Sequence, residues 1–236
     1  MKLLIPDYQI NLTWKDYSVP TLIIENPHQF FEIINDLVLQ IKEGNNGKAI
    51  YSDKDKPVPL EKAFEILIDY LSIDSVPKML LTKIQKRMEF QATNGPLFEN
   101  TQILLAQMEH LAEEIAMSLD LEIDCEKLTV GNLLKALGIT INLDYNGLGE
   151  KIFVLMDLIS RFEGDKIFIL VNLRSYLSSE EIQLFVDTAL AHDLKFLLID
   201  NRRYPLFHQE KRVLMLVVIR GAGDLATGIA LSPIMM

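Results

Sequence analysis

The sequence predicts an α/β protein: a mostly parallel sheet with flanking helices, interrupted by an inserted α-helical leg. Three observations predict it. Apolar, β-branched runs of strand length, "KIFILV" at 166–171 and "KFLLID" at 195–200, lack the polar alternation of a half-exposed strand and so read as buried on both faces. Amphipathic stretches with explicit helix punctuation separate such runs, and strand–helix alternation argues for parallel pairing. Between 77 and 118 that alternation stops and two long helical stretches replace it.

In chain order, short strands are expected across 2–13 and a clearer one at 19–25, "VPTLIIE". The next helix opens on Asn26 as N-cap, Pro27 at the first helical position and Gln29 as the return partner of a capping box, and closes near Gly44. "KAIYSD" at 48–53 reads as a strand and "KDKPVPLEK" as a polar loop. "LEKAFEILIDYLSI" reads as an amphipathic helix with Phe64, Leu67, Ile68 and Leu71 on one face. "TNGP" at 93–96 divides the two long helices, and the second carries Leu97, Thr101, Leu104, Met108, Leu111 and Ile115 at three- and four-residue spacing. A helical hairpin would bury each stripe against the other helix or against a neighbouring subunit. Thr129 caps a short helix stopped by Gly138, with a strand after it, and a further helix closes at Gly164. Ser178 and Glu181 form a capping box for a helix over 179–193. The expected organisation is a head of residues 1–72 and 129–213, a helical leg of 73–128 and an atypical tail of 214–236.

A chain of 236 residues, 49% hydrophobic and 24% charged, buries a substantial core and has the composition of an ordinary globular protein. The lone Cys125 excludes an intrachain disulfide, and "MKLLIPDYQINLTW" lacks the apolar run and cleavage site of a secretory signal, so a cytoplasmic protein without membrane association is expected. "VLMLVVI" and "IFILV" fall far short of the roughly 20 residues that span a bilayer. A net charge of −10 gives no global attraction for a polyanion, so nucleic-acid binding requires a local basic patch.

Several motifs bear on chemistry. "EGNNGKA" at 43–49 has glycines too close together for a P-loop and no Ser or Thr after Lys48, and is better read as a helix C-cap and turn. "LMLVVIRGAGDLATGIA" carries Gly221, Gly223 and Gly228 after an apolar strand and resembles the opening of a molybdenum-hydroxylase accessory family with a Rossmann-type domain. The chain ends at Met236, before the second strand and acidic residue that such a unit needs, so the stretch reads as a sheet-edge strand and a non-functional end. A nucleotide- or dinucleotide-dependent α/β enzyme using this turn stands as the alternative function. His28, His110, His192 and His208 are dispersed, and Cys125 sits among acids that raise a thiol's pKa, so hydrolytic catalysis finds no constellation. "DLEIDCE" sets Asp120, Glu122, Asp124 and Glu126 at alternate positions, on one side of an extended chain. Crowded carboxylates suit a calcium ion, though a solvated acidic loop is the blander account and the EF-hand glycine and glutamate are absent. Cations gather at Lys48, Lys54, Lys56 and Lys62; at Lys78, Lys83, Lys86 and Arg87; and at Arg202, Arg203, Lys211 and Arg212. Lys83, Lys86 and Arg87, three and four apart, share a helix face.

"LLKALGITINLDYNGLGEKIFVLMDLISRFEGDKIFILVNLRSYLSSEEIQLFVDTALAHDLKFLLIDNRR", at about 133–203, resembles the CRISPR-associated protein of type II-A spacer acquisition, the Csn-two family. "LKALGI" before a strand, "IFILVNLRSYLSSEE" and "LLIDNRR" carry the likeness, and "YSDKDKPVPLEKAFEILIDYLSIDSVP" extends it. The resemblance implies an α/β head related to P-loop nucleotidases without their catalytic motifs, a helical leg, and a homotetramer whose ring takes double-stranded DNA ends through its hole. It further implies stabilising calcium, with Asp120, Glu122, Asp124 and Glu126 where the family's acidic cluster lies, and no enzymatic activity. The CRISPR integrase complex and the RNA-guided effector nuclease are the implied partners. DNA contacts do not transfer residue by residue, and Lys48, Lys54, Lys56, Lys83, Lys86 and Arg87 are candidates from charge alone.

Overall fold

A computed structural model describes residues 1–14, 19–73, 76–119, 126–143, 145 and 147–204, together with the backbone of 215–219 and 227–230. The chain divides into two compact units, Met1–Ile73 with Asp144–Met236, and Asp74–Leu143.

The first unit is α/β. Its six-stranded sheet runs β10-β9-β3-β8-β7-β6, from β3 (Thr21–Ile24), β6 (Phe64–Leu67), β7 (Ile167–Val171), β8 (Lys195–Asp200), β9 (Met215–Ile219) and β10 (Thr227–Ala230). Every pairing is parallel except β9 with β10. All five residues of β7 are buried, as its unbroken apolar run requires. Ile167, Ile169 and Val171 face a core shared with Ile33, Leu37 and Ile41 of helix α1 (Pro27–Glu43). On β8, Phe196 meets Phe185 of α7 (Ser179–Ala191), ring centroids 5.6 Å apart. Helix α6 (Leu148–Glu163) buries Ile152, Leu155, Met156 and Ile159 at helical spacing.

Local signals hold where the cap is self-contained. Ser178 N donates to Glu181 Oε2 at 2.7 Å and Glu181 N to Ser178 Oγ at 3.2 Å, closing the capping box of α7. Asn26 caps α1, but Gln29 Oε1 is buried without a partner, so the return half of that box is missing.

Tertiary pairing overrides the sequence pattern at four places. A second, antiparallel sheet, β2-β1-β4-β5, is formed by β1 (Lys2–Ile5), β2 (Ile10–Thr13), β4 (Ile50–Asp53) and β5 (Lys56–Val58). The stretch expected as a polar loop is thus a hairpin, turning at Lys54 and Asp55 with φ of 48° and 62°, as a tight two-residue hairpin requires. Residues 60–73 do not form a helix: one turn, α2 (Leu60–Ala63), gives way to β6, which buries Phe64 and Ile66 and leaves Leu71 exposed. No strand follows Gly138 among the described residues 139–143. Finally, β9 lies inside the sheet, because β10 takes the edge beside it.

The second unit holds α3 (Lys78–Asn94), α4 (Phe98–Ser118) and α5 (Val130–Ala136). Val130 and Leu134 of α5 pack with Leu105 of α4, which places residues 129–143 here and not with the head domain expected to begin at 129. On α4 the apolar stripe stays open: Leu104 is 49%, Leu111 56% and Ile115 53% exposed, while Leu105 and Ala116 are buried.

Candidate nucleic-acid interface

Open α/β sheets hold ligands in the crevice beyond the carboxyl ends of their parallel strands. The connection from β3 to α1 is only Glu25 and Asn26, too short for a phosphate loop and without glycine. The amides there are also taken or missing: Asn26 Oδ1 accepts from the backbone N of His28 (3.0 Å) and Gln29 (3.1 Å), and Pro27 has no N–H. Across the edge, Arg203 Nε donates to Glu25 Oε1 at 3.1 Å.

The turns after β7 and β8 are tied to each other at the same edge. Asn172 adopts a left-handed conformation, φ 55°, donates its backbone N to Ile199 O at 2.7 Å and accepts from Asn201 N at 3.0 Å. Arg174, almost fully buried, directs Nε and Nη2 to Asp200 Oδ2 at 2.8 and 2.6 Å. Burial pushes the Asp200 carboxyl up against the downward pull of Arg174, and Asp200 Oδ1 keeps no protein partner. The Tyr204 ring lies 4.8 Å from the Arg174 guanidinium, and its hydroxyl shares a 2.7 Å hydrogen bond with Ser175 Oγ. "NLRSYL" therefore fastens two turns together where a nucleotide-binding scaffold leaves a cleft.

The turn at Gly44–Lys48 is likewise closed. Gly44 ends α1 with φ 67°, Lys48 N donates to Asp36 Oδ2 at 3.0 Å, and a side chain at Gly47 would overlap Gln40 and Asp36. A carboxylate thus holds the amide that a phosphate would need.

The six cations chosen from the sequence divide accordingly. Lys48 Nζ lies 3.1 Å from Asp7 Oδ2, and that hydrogen bond, with Glu32 and Asp36 nearby, raises its pKa. Burial and the 2.6 Å hydrogen bond to Glu32 push the neighbouring Tyr8 hydroxyl up to about 12. Lys48 is exposed and forms a surface ion pair within the chain, a role hidden in the sequence because its acids come from positions 7, 32 and 36. Lys54 and Lys56 stand exposed at the β4–β5 hairpin tip. On α3, Lys83, Lys86 and Arg87 are exposed while Leu80 and Ile84 are buried, and the Arg87 guanidinium lies 5.7 Å from the Phe90 ring. Sequence reasoning missed the Arg174–Asp200 pair; an aspartate ending a wholly apolar strand signals burial but not its partner.

Of the acidic candidates, Asp120, Glu122 and Asp124 lie outside the described residues, and Glu126 is exposed. Among the described residues no group of three or more His, Cys, Asp or Glu is placed to hold a metal ion. Within the glycine-rich stretch, 221–226 lie outside the described residues, but Gly228 falls in β10, an antiparallel strand where a dinucleotide fingerprint opens a helix. No described helix is long and apolar enough to cross a membrane.

No curated protein matches the chain. Among solved structures, the crystal structure of Stu0660 of Streptococcus thermophilus is similar, with a TM-score of 0.55 at 12% identity, covering 92% of this chain and 74% of that one. At that identity the likeness speaks for the fold alone. The family model described as CRISPR-associated protein (Cas_Csn2) matches residues 41–214, across both units. The chain belongs to the Cas_Csn2 family of CRISPR-associated proteins.

Proposed function

We propose that this protein serves CRISPR adaptation as a non-catalytic, calcium-stabilised homotetrameric ring that binds the ends of linear double-stranded DNA without reading sequence. The observation that carries the reading is the lack of a phosphate loop among the described residues at the carboxyl ends of β3, β7 and β8. Among the described residues, Arg174, Asp200, Asn172 and Tyr204 are tied to one another beside β7 and β8 and no phosphate loop follows β3, which supports a scaffold that works as a platform for surface cations. Strand order supports kinship with P-loop nucleotidases, since β3, the sheet's first strand in sequence, lies between β8 and β9 and leads straight into α1. The open apolar stripe of α4 supports self-association, because patches of this kind mark contact surfaces.

Lys54, Lys56, Lys83, Lys86 and Arg87 are the proposed phosphate contacts, and repetition around a ring makes a few cations per chain effective despite a net charge of −10. Glu126 supplies an exposed oxygen of the kind calcium takes, with Asp120, Glu122 and Asp124 as the other proposed ligands. The CRISPR integrase complex and the RNA-guided effector nuclease are the proposed partners, in the cytoplasm.

The test compares the same plasmid, linearised and closed-circular, in mobility shifts over a salt series, with light scattering in calcium or chelator. Preference for the linear form, a steep fall in affinity with salt and a calcium-dependent tetramer are expected. Equal affinity for both forms, or a monomer with calcium present, rules the ring out.

A further inference from the structure

Arg202 comes two residues after the end of β8, at the carboxyl edge of the sheet, and its guanidinium is held in place before any ligand arrives. Nε donates to the Tyr204 hydroxyl at 2.8 Å, and the guanidinium carbon lies 4.9 Å from the Tyr204 ring centroid. Tyr204 is fixed in turn by Ser175 Oγ and by contact with Arg174, which the buried Asp200 anchors. Neighbouring arginines are neutralised by carboxylates, Arg203 by Glu25 at 3.1 Å and Arg174 by Asp200 at 2.6 Å. Among the described residues no carboxylate forms a close ion pair with Arg202; Asp200, already held by Arg174, acts on it only at longer range. Counted among the described residues there, Arg174, Arg202 and Arg203 stand against Asp200 and Glu25, an excess of positive charge in a chain that is strongly negative overall.

We infer that Arg202 is a phosphate-binding residue. With Nε occupied, its two terminal amino groups remain as donors, and the planar fork they form suits phosphate oxygens. The ordering cost of a long side chain is already met by the contact with Tyr204, and among the described residues no close carboxylate partner has to be displaced. A phosphodiester of duplex DNA and the phosphates of a free nucleotide offer the same chemistry. The duplex source rests on the function proposed above, and the nucleotide source does not.

The test uses the full chain and its Arg202→Gln and Arg202→Lys variants, titrated separately with a labelled linear 30-base-pair duplex and with ATP. Expected is a loss of about tenfold in duplex affinity for Arg202→Gln, the worth of one charge-assisted contact, with a shallower salt dependence. Arg202→Lys, which keeps the charge and loses the stacked fork, should recover part of it. If ATP and not duplex is the ligand lost, Arg202 still binds phosphate and the DNA-ring reading fails. If the parent binds duplex and Arg202→Gln binds it equally well, the ring reading stands and this inference falls. If the parent binds neither, both fall. A melting temperature for Arg202→Gln well below the parent's with affinity unchanged would make Arg202 a structural pin only, and overturns the inference.

Discussion

Asp200 ends an apolar strand with one carboxylate oxygen held by Arg174 and the other without a protein partner, so the pair is finely balanced. Removing the guanidinium leaves a buried charge uncompensated, which costs about 3–5 kcal/mol. Arg174→Ala is therefore expected to lower the melting temperature by about 10 °C, and Arg174→Met with Asp200→Leu to recover most of the loss, by calorimetry. Equal melting of the parent and Arg174→Ala would remove the pair from the fold's supports. Glu65 on β6 shows the same balance with lysines in place of Arg174: burial raises its pKa, and Lys166 and Lys42 pull it only partly back. Folded, it holds its proton to higher pH than unfolded, so its contribution to stability falls as pH rises from about 4.3 through the raised value. Glu65→Gln should melt about 1–2 °C above the parent at pH 7, a modest gain for a partly screened group, with the difference vanishing near pH 4. At this scale the sequence was informative about exposure and silent about partners. Lys54 and Lys56 could be placed on the surface from their turn, whereas Lys48 is neutralised by Asp7, whose proximity only the tertiary structure creates.

Elements with their own punctuation could be read directly: α1 starts at the expected proline, and α7 carries both halves of its capping box. The stretch from 60 to 73 could not, because an apolar run this short satisfies helical and strand periodicity alike and the neighbouring β7 decides between them. Strand order is similarly absent from local pattern, and with it the second sheet. The α4 stripe was legible as apolar, but its spacing alone left the covering surface open. Within one chain Leu104 and Leu111 remain about half exposed. If another copy covers them, Leu104→Lys with Leu111→Lys leaves the thermal melt of a dilute sample nearly unchanged. Self-association should weaken by at least about a hundredfold, the worth of two leucines at roughly 1.5 kcal/mol each. Sedimentation velocity across a concentration series decides it, and an unchanged mass distribution would exclude this face from assembly.

For the whole molecule, the segment after residue 211 matters more than its glycine-rich composition suggests. Read as a sequence, 214–236 is a sheet-edge strand and a non-functional end; in the fold, β9 aligns with β3 from Thr21 opposite Leu216 to Ile24 opposite Ile219. All four β3 residues are buried, and β3 lies between β8 and β9, so the sheet has no free edge there. Truncation after Lys211 would strip one side of β3 of its ladder and leave buried backbone donors and acceptors unpaired, at about 1–3 kcal/mol for each group that water cannot reach. It would also present an apolar strand edge to other chains. The truncated protein should melt at least about 10 °C lower than the full chain and aggregate at lower concentration, by calorimetry and light scattering. Should it melt like the parent and remain dispersed, β9 contributes nothing to the sheet. On the proposed function, DNA affinity should then follow the folded fraction: a truncated chain that stays folded at low temperature should still bind linear duplex, because the proposed contacts Lys54, Lys56, Lys83, Lys86 and Arg87 all lie outside the deleted segment.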